Sequence, residues 1–156
     1  MSKLTVTFGA PEAGWIDVTI QSGTQALSMD VSDVYNAFFP LVETLHQLCL
    51  APGQRIVCWT LEPTEYDMHF SRIGEVVTLD VLRWPDSSRS IFHQEKVFSV
   101  SGSYNEICLP FWQALRGLQG RYSAAELETL WQDVFPQREL NLLTAALGKE
   151  PAQQAA

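Results

Sequence analysis

The chain has 156 residues, of which 46% are apolar and 18% charged, and this length and composition are typical of one globular domain. Ten basic residues against eighteen acidic ones give a formal net charge of −8. The negative charge argues against nucleic acid and anionic membranes as partners, because both require a basic surface. We expect one soluble domain over 1–148 and a flexible C-terminal tail over 149–156.

Three cysteines, Cys49, Cys58 and Cys108, cannot all pair with one another, and they form no Cys-x-x-Cys motif. Their number and spacing exclude a disulfide framework and a zinc ribbon. The N-terminal residues lack the apolar run of a signal peptide, and no stretch approaches the roughly 18 apolar residues of a membrane span. The sequence therefore predicts a cytoplasmic protein, with no cofactor and no metal.

The first predicted hairpin consists of two alternating segments, 15–21 and 25–31, around a turn at Ser22-Gly23. A loop tip at these two residues would place the apolar side chains of both strands on one face. The predicted opposite pairs are Val18 with Leu27 and Ile16 with Met29.

A helix is predicted next, because apolar residues recur at helical spacing from Val34 to Cys49. Ser32 is its candidate N-cap, and Pro52-Gly53 marks its end. Pro40 lies inside the run, where it predicts a kink or a restart of the helix.

Residues 55–84 read as three antiparallel strands. We expect a type I turn at 62–65 with Pro63 in second position, and a two-residue II′ loop at Gly74-Glu75. These turns align three apolar rows across the strands. The predicted rows include Trp59, Met68 and Val81, and also Val57, Phe70 and Leu79.

A fourth strand is predicted over about 90–100, followed by three helices. Ser103 with Glu106 and Ser123 with Glu126 have the spacing of capping boxes. Pro110 predicts a second kink, and Pro136 the start of the last helix. Strands followed by helices indicate an α+β domain: mainly an antiparallel meander sheet, one inserted helix, and three C-terminal helices packed on one face.

The same strand register predicts a row of Cys58, His69 and Asp80 on the opposite face of the sheet. A thiol beside an imidazole and a carboxylate is typical of an activated cysteine nucleophile, and the three groups are also possible metal ligands. The simpler explanation is that these residues are ordinary cross-strand neighbours on a face partly exposed to solvent, since catalytic residues usually lie on loops or strand ends.

The turn at 62–65 is acidic, with Glu62 and Glu65 predicted to face each other and Asp67 next in line. Such a cluster suits a cationic partner or a paired-carboxylate site, although the ordinary acidity of solvated turns explains it more simply. An exposed tryptophan near acids suits a protein interface. The candidate binding residues are Glu62, Glu65, Tyr66, Asp67 and Trp84.

These patterns favour a non-enzymatic protein-binding module over an enzyme, because the chain has no P-loop, Gly-x-Ser-x-Gly or His-Glu-x-x-His motif. A basic protein is the expected partner, and a bacterial immunity- or antitoxin-type inhibitor is one concrete version. The alternatives are a thiol-dependent hydrolase or acyltransferase, and a small-ligand-binding domain with a pocket between the sheet and the kinked helices. The sequence is also compatible with a homo-oligomer.

Overall fold

The computed structural model describes residues 3–149. Within that range the chain forms seven strands and five helices. In chain order they are β1 (Thr5–Phe8), β2 (Trp15–Ser22), β3 (Gln25–Ser32), α1 (Phe38–Leu50), β4 (Gly53–Thr60), β5 (Glu65–Ile73), β6 (Val76–Trp84), β7 (Glu95–Gly102), α2 (Tyr104–Ile107), α3 (Leu109–Arg121), α4 (Ala124–Trp131) and α5 (Gln137–Ala146). The predicted tail, apart from Lys149, lies outside the described residues.

The strands form two antiparallel sheets, one of order β1-β2-β3 and one of order β4-β5-β6-β7. Helix α1 lies between the two sheets in the sequence, and α2 to α5 follow the last strand. The α+β class, the antiparallel meander and the inserted helix are therefore confirmed, with the strands divided between two sheets.

One of the predicted registers is confirmed and two are wrong by two residues. Strands β5 and β6 pair around Gly74-Glu75, which places Met68 opposite Val81 as predicted. Strand β4 is shifted, so that Trp59 lies opposite Tyr66 and not Met68. The first hairpin is shifted in the same way. It pairs Val18 with Met29, Ile16 with Val31 and Ile20 with Leu27.

The position of each loop tip explains both shifts. In the first hairpin Ser22 pairs with Gln25, so the tip is Gly23-Thr24, with Gly23 at a φ of 59°. In the other hairpin Leu61 N–H donates to Thr64 O at 2.8 Å, so Glu62 and Pro63, joined by a cis peptide bond, form the tip. Pro63 is thus the third residue of its turn and not the second.

Helix α1 begins later than predicted. Ser32 is the last residue of β3, where it pairs with Trp15, and Ala37 precedes the first helical turn. Pro40 is the third residue of α1, and Pro110 the second residue of α3. The amides of a first turn have no acceptor within the helix, so neither proline removes a hydrogen bond there. A helix start therefore lies beside each proline, as one alternative for Pro40 predicted, and neither proline kinks a helix.

The C-terminal helices start where their capping residues predict. Ser103 and Ser123 each accept a hydrogen bond from the backbone of a glutamate three residues on, and each glutamate bonds back to the serine amide. The first box opens the four-residue α2, and α3 follows, so four helices replace the predicted three. The predicted fourth strand begins at Glu95, because 85–94 is a loop.

The buried apolar residues form one cluster that extends from Leu4 to Leu143. Phe38 of α1 packs among four other aromatic side chains of this core. Their ring centroids lie between 5.1 and 5.7 Å from the centroid of the Phe38 ring. These rings belong to Phe8, Trp59, Trp131 and Phe135. Aromatic edge-to-face contacts therefore join both sheets to the C-terminal part of the chain.

Candidate functional site

The candidate site lies on the outer face of the four-stranded sheet. Because successive side chains of a strand point to opposite faces, Met68 and Leu79 are buried in the core while Asp67, His69 and Asp80 point outward. The loop 85–94, which joins β6 to β7, returns to this outer face. All the candidate residues named from the sequence except Glu62 and Tyr66 lie on it.

Arg89 of that loop reaches back onto the sheet. Its Nη1 donates to Asp67 Oδ2 at 2.7 Å and its Nη2 to Asp67 Oδ1 at 2.9 Å, which makes a bidentate ion pair. Its Nε donates to Glu65 Oε1 at 2.7 Å, and Nη2 also lies 3.1 Å from Cys58 Sγ. One guanidinium therefore joins side chains of β4 and β5 to the loop.

Trp84, at the end of β6, completes the surroundings of this guanidinium. The Cζ atom of Arg89 lies 5.2 Å from the centroid of the Trp84 ring, a distance typical of a cation–π contact. The indole Nε1 donates to Asp67 Oδ2 at 3.1 Å. The side chain of Asp67 is 6% exposed and that of Arg89 is 35% exposed, so the carboxylate is buried beneath a guanidinium that water still reaches.

The ion pair changes the ionisation of both partners. Burial acts to raise the pKa of Asp67, but the hydrogen bonds and positive charge of Arg89, together with hydrogen bonds to Cys58 and Trp84, outweigh it and lower that pKa. Hydrogen bonds to Asp67 and Glu65 raise the pKa of Arg89 against the opposing effect of burial. The pair is therefore ionised throughout the neutral range.

The predicted row of Cys58, His69 and Asp80 is confirmed for His69 opposite Asp80 and wrong for Cys58, which the shifted register places opposite Asp67. His69 lies between Ile56 and Asp80 in the next row. Asp80 accepts a hydrogen bond from Ser99 Oγ at 2.6 Å. In the described part of the chain no hydrogen bond joins His69 to Cys58 or Asp80, and its Nε2 is buried without a partner.

The Cys58 thiol is not activated by its surroundings. Burial, together with the negative charge of Asp67, raises its pKa to about 11, although the charge of Arg89 acts in the opposite direction. Because the thiolate is the nucleophilic form, the group is almost entirely in its unreactive form at neutral pH. The geometry thus gives no support to thiol chemistry at this position.

The acidic residues of the turn are separated in the structure. Glu62 is exposed at the tip, whereas Glu65 lies opposite Thr60, so the two glutamates do not face each other as predicted. Glu65 and Asp67 are paired with Arg89. Tyr66 points into the core and is 8% exposed. The structure therefore brings Glu65, Asp67 and Trp84 together and leaves Glu62 and Tyr66 apart.

Sequence reasoning did not identify Arg89 as part of the site, nor Ile91 and Phe92 in the same loop. Ile91 is 73% exposed and Phe92 is 89% exposed. One signal pointed to Arg89: three carboxylates at 62–67 with no predicted cation beside them. No comparable periodicity marks Ile91 and Phe92, because they lie in a loop.

Over residues 3–149, no group of three or more His, Cys, Asp or Glu side chains is arranged to hold a metal ion. None of the helices described is long and apolar enough to cross a membrane. Comparison of the chain with models of protein families, with curated proteins and with solved structures finds no significant match.

Proposed function

We propose that this protein is a non-enzymatic protein-binding module that engages a basic partner. The observation that carries this proposal is the exposed pair of Ile91 and Phe92 in the loop 85–94. A phenylalanine that is 89% exposed contributes almost nothing to folding. Exposed aromatic side chains that enter a partner's pocket are typical anchors of protein interfaces.

The loop is held in place close to these two residues. Arg89, two residues before Ile91, is bound to Asp67 and Glu65 by the ion pairs described above. A loop that is already fixed loses less conformational entropy on binding than a free one. The ion pairs of Arg89 therefore hold Ile91 and Phe92 in place at the surface for the first contact with a partner.

Carboxylates lie on the same part of the surface. Thr64 Oγ1 donates to Pro85 O at 3.5 Å, so the turn that carries exposed Glu62 lies beside the start of the loop. Asp86 is the next residue of that loop. Exposed Glu95 follows the loop at the start of β7. An apolar anchor with acidic neighbours complements a basic surface with an apolar pocket, and such charge complementarity speeds association.

In its most specific form the proposal is a cytoplasmic, bacterial immunity- or antitoxin-type inhibitor that covers a basic active site of its target. The supporting features are the net charge of −8 and the exposure of Phe92, with exposed Glu95 three residues after it. The two alternatives from the sequence have less support, because the pKa of Cys58 is raised and neither proline kinks its helix.

The test is capture from native lysate on the immobilised protein, with elution by increasing salt and mass spectrometry of the eluate. We expect a basic protein that leaves as salt rises, that Phe92→Ser loses, and that Glu62→Gln binds more weakly. Leu142→Ser is the matched control, because Leu142 is 53% exposed on α5. Equal losses from Phe92→Ser and Leu142→Ser, or capture that ignores salt, would contradict the proposal.

A further inference from the structure

The side chains around Arg89 have the composition of a receptor for a guanidinium group. Asp67 offers both carboxylate oxygens, Glu65 a third oxygen and Trp84 its ring face. We propose that these residues form a binding site for an arginine side chain of the partner, and that Arg89 fills this site from its own chain until that arginine displaces it. This inference names the chemistry of the partner and rests on the proposed function.

The geometry selects arginine over lysine. The two oxygens of Asp67 accept from two different nitrogens of one planar group, at 2.7 and 2.9 Å, while Nε donates in a third direction to Glu65. A fork of rigid donors satisfies all three acceptors at once, whereas an ammonium is a compact charge without that planar geometry. A planar guanidinium also stacks on an indole ring.

Three features allow Arg89 to be exchanged. Its side chain is 35% exposed, so another side chain can approach from solvent. In the described chain, the side-chain hydrogen bonds between 86–94 and the sheet come from Arg89. Within the loop, the Ser88 N–H donates to the Asp86 side chain and the His93 N–H to the Ser90 carbonyl. An incoming arginine would also re-form the same contacts, so buried Asp67 would not stay unpaired.

Arg89 then acts as a tethered competitor. A group held by a short linker has an effective concentration on the order of millimolar, so a lone arginine binds weakly while Arg89 occupies the site. A partner that presents an arginine and also contacts Ile91 and Phe92 gains binding energy that a lone arginine lacks. The occupied site therefore favours partners that present an arginine and also contact Ile91 and Phe92.

The first experiment uses three pentapeptides, acetyl-Gly-Gly-Xaa-Gly-Gly-amide, with arginine, lysine or citrulline in the centre. Calorimetric titration compares the whole chain with Arg89→Ala, in which the site is empty, and with Arg138→Ala, which removes the same charge from an exposed position on α5. We expect Arg89→Ala to bind the arginine peptide about tenfold more tightly than the unmodified chain does, as loss of a tethered competitor requires. Neither the lysine nor the citrulline peptide should gain, and Arg89→Ala/Asp67→Asn should lose the gain.

Because Arg89→Ala leaves buried Asp67 unpaired and so destabilises the fold, a second measurement uses the unmodified protein. The arginine peptide, added in excess, should speed hydrogen exchange of the amides of 86–94, since displaced Arg89 releases the loop. The lysine peptide should leave that exchange unchanged.

Equal affinity of the arginine peptide for the unmodified chain and a folded Arg89→Ala, or an equal gain for lysine, would overturn the inference. Unchanged exchange over 86–94 at saturating arginine peptide would also overturn it. A basic partner that still requires Phe92 would in that case leave the proposed function standing. Conversely, peptide binding at this site together with no effect of Phe92→Ser on capture would reject only the proposed role of Ile91 and Phe92 in binding.

Discussion

Gln25 and Ser99, 74 residues apart, are joined by two hydrogen bonds through one side-chain amide. Gln25 Nε2 donates to Ser99 O at 2.8 Å, and Ser99 N–H donates to Gln25 Oε1 at 3.0 Å. Ser99 lies in β7, an edge strand of the four-stranded sheet. The amide thus occupies the backbone N–H and C=O of Ser99, which an edge strand would otherwise offer to another chain, and it links the two sheets.

Replacing this amide should expose the edge of β7. We expect Gln25→Ala to lower the free energy of unfolding by about 1 kcal/mol, the net value of the exposed hydrogen bonds, and to increase self-association. Denaturant titration measures the first effect, and light scattering against concentration measures the second. Gln54→Ala, at an exposed position of β4, is the control, and an equal effect there would contradict the role given to Gln25.

The lowered pKa of Asp67 predicts how stability depends on acid. The pKa of this carboxyl is lower in the folded chain than its ordinary value of 3.8, so its contribution is present above that pH and is lost as pH falls through the folded pKa. Asp67→Asn should abolish that part of the acid sensitivity. At pH 7 it should cost about 2 kcal/mol, less than a fully buried pair, because Arg89 stays in contact with water.

The measurement is denaturant unfolding at a series of pH values from neutral to below the ordinary carboxyl pKa. Glu75→Gln serves as the control, because the Glu75 side chain is 94% exposed and lies 3.5 Å from Arg72. A pH profile for Asp67→Asn that parallels the unmodified protein would show that the Arg89 pair does not govern acid stability.

The raised pKa of Cys58 predicts slow alkylation. With a pKa of about 11 instead of 9.0, its thiolate fraction at neutral pH falls about a hundredfold, and the greater nucleophilicity of that thiolate recovers about tenfold. Iodoacetamide should therefore label Cys58 about ten times more slowly than a free thiol of ordinary pKa, and the rate should rise steadily toward pH 11. Mass spectrometry of digested samples distinguishes the sites. Rapid labelling of Cys58 at pH 7 would restore the case for a nucleophile.

Two phenylalanines should behave in opposite ways on truncation. Phe38 is 1% exposed among four aromatic rings, so Phe38→Ala should lower the free energy of unfolding by about 4 kcal/mol through lost burial and an unfilled cavity. Phe92→Ala should change it by less than about 0.5 kcal/mol. Thermal and denaturant unfolding check both values. A large loss of stability in Phe92→Ala would mean that this side chain serves the fold and not an interface.

Local signals predicted those features that depend on a few neighbouring residues. Both capping boxes formed where serine and glutamate stand three residues apart, and the β5–β6 register followed from Gly74 at the first loop position. The two wrong registers have a shared physical cause. A shift of two residues keeps every side chain on its face, so alternation of apolar residues cannot distinguish the alternatives. Only the identity of the loop tip does, at Gly23-Thr24 and at Glu62-Pro63.

The candidate site was predictable in part for the same reason. Glu65, Asp67 and Trp84 stand out by charge and type, and their strands bring them together. Arg89 belongs to a loop whose return to the sheet depends on the long-range ion pair itself. The carboxylates at 62–67 indicate that a cation is missing, but no periodicity indicates that Arg89 supplies it, and with this contact Glu65 and Asp67 are no longer free acidic groups.

The position of Phe38 has a consequence for how the chain is made. During synthesis the N-terminal strands leave the ribosome first, yet the ring of Phe38 requires Phe8 and Trp59 on one side and Trp131 and Phe135 on the other. Until residue 135 emerges, Phe38 lacks two of the four aromatic rings that pack on it. Until then the nascent chain carries an open apolar surface, of the kind that chaperones bind.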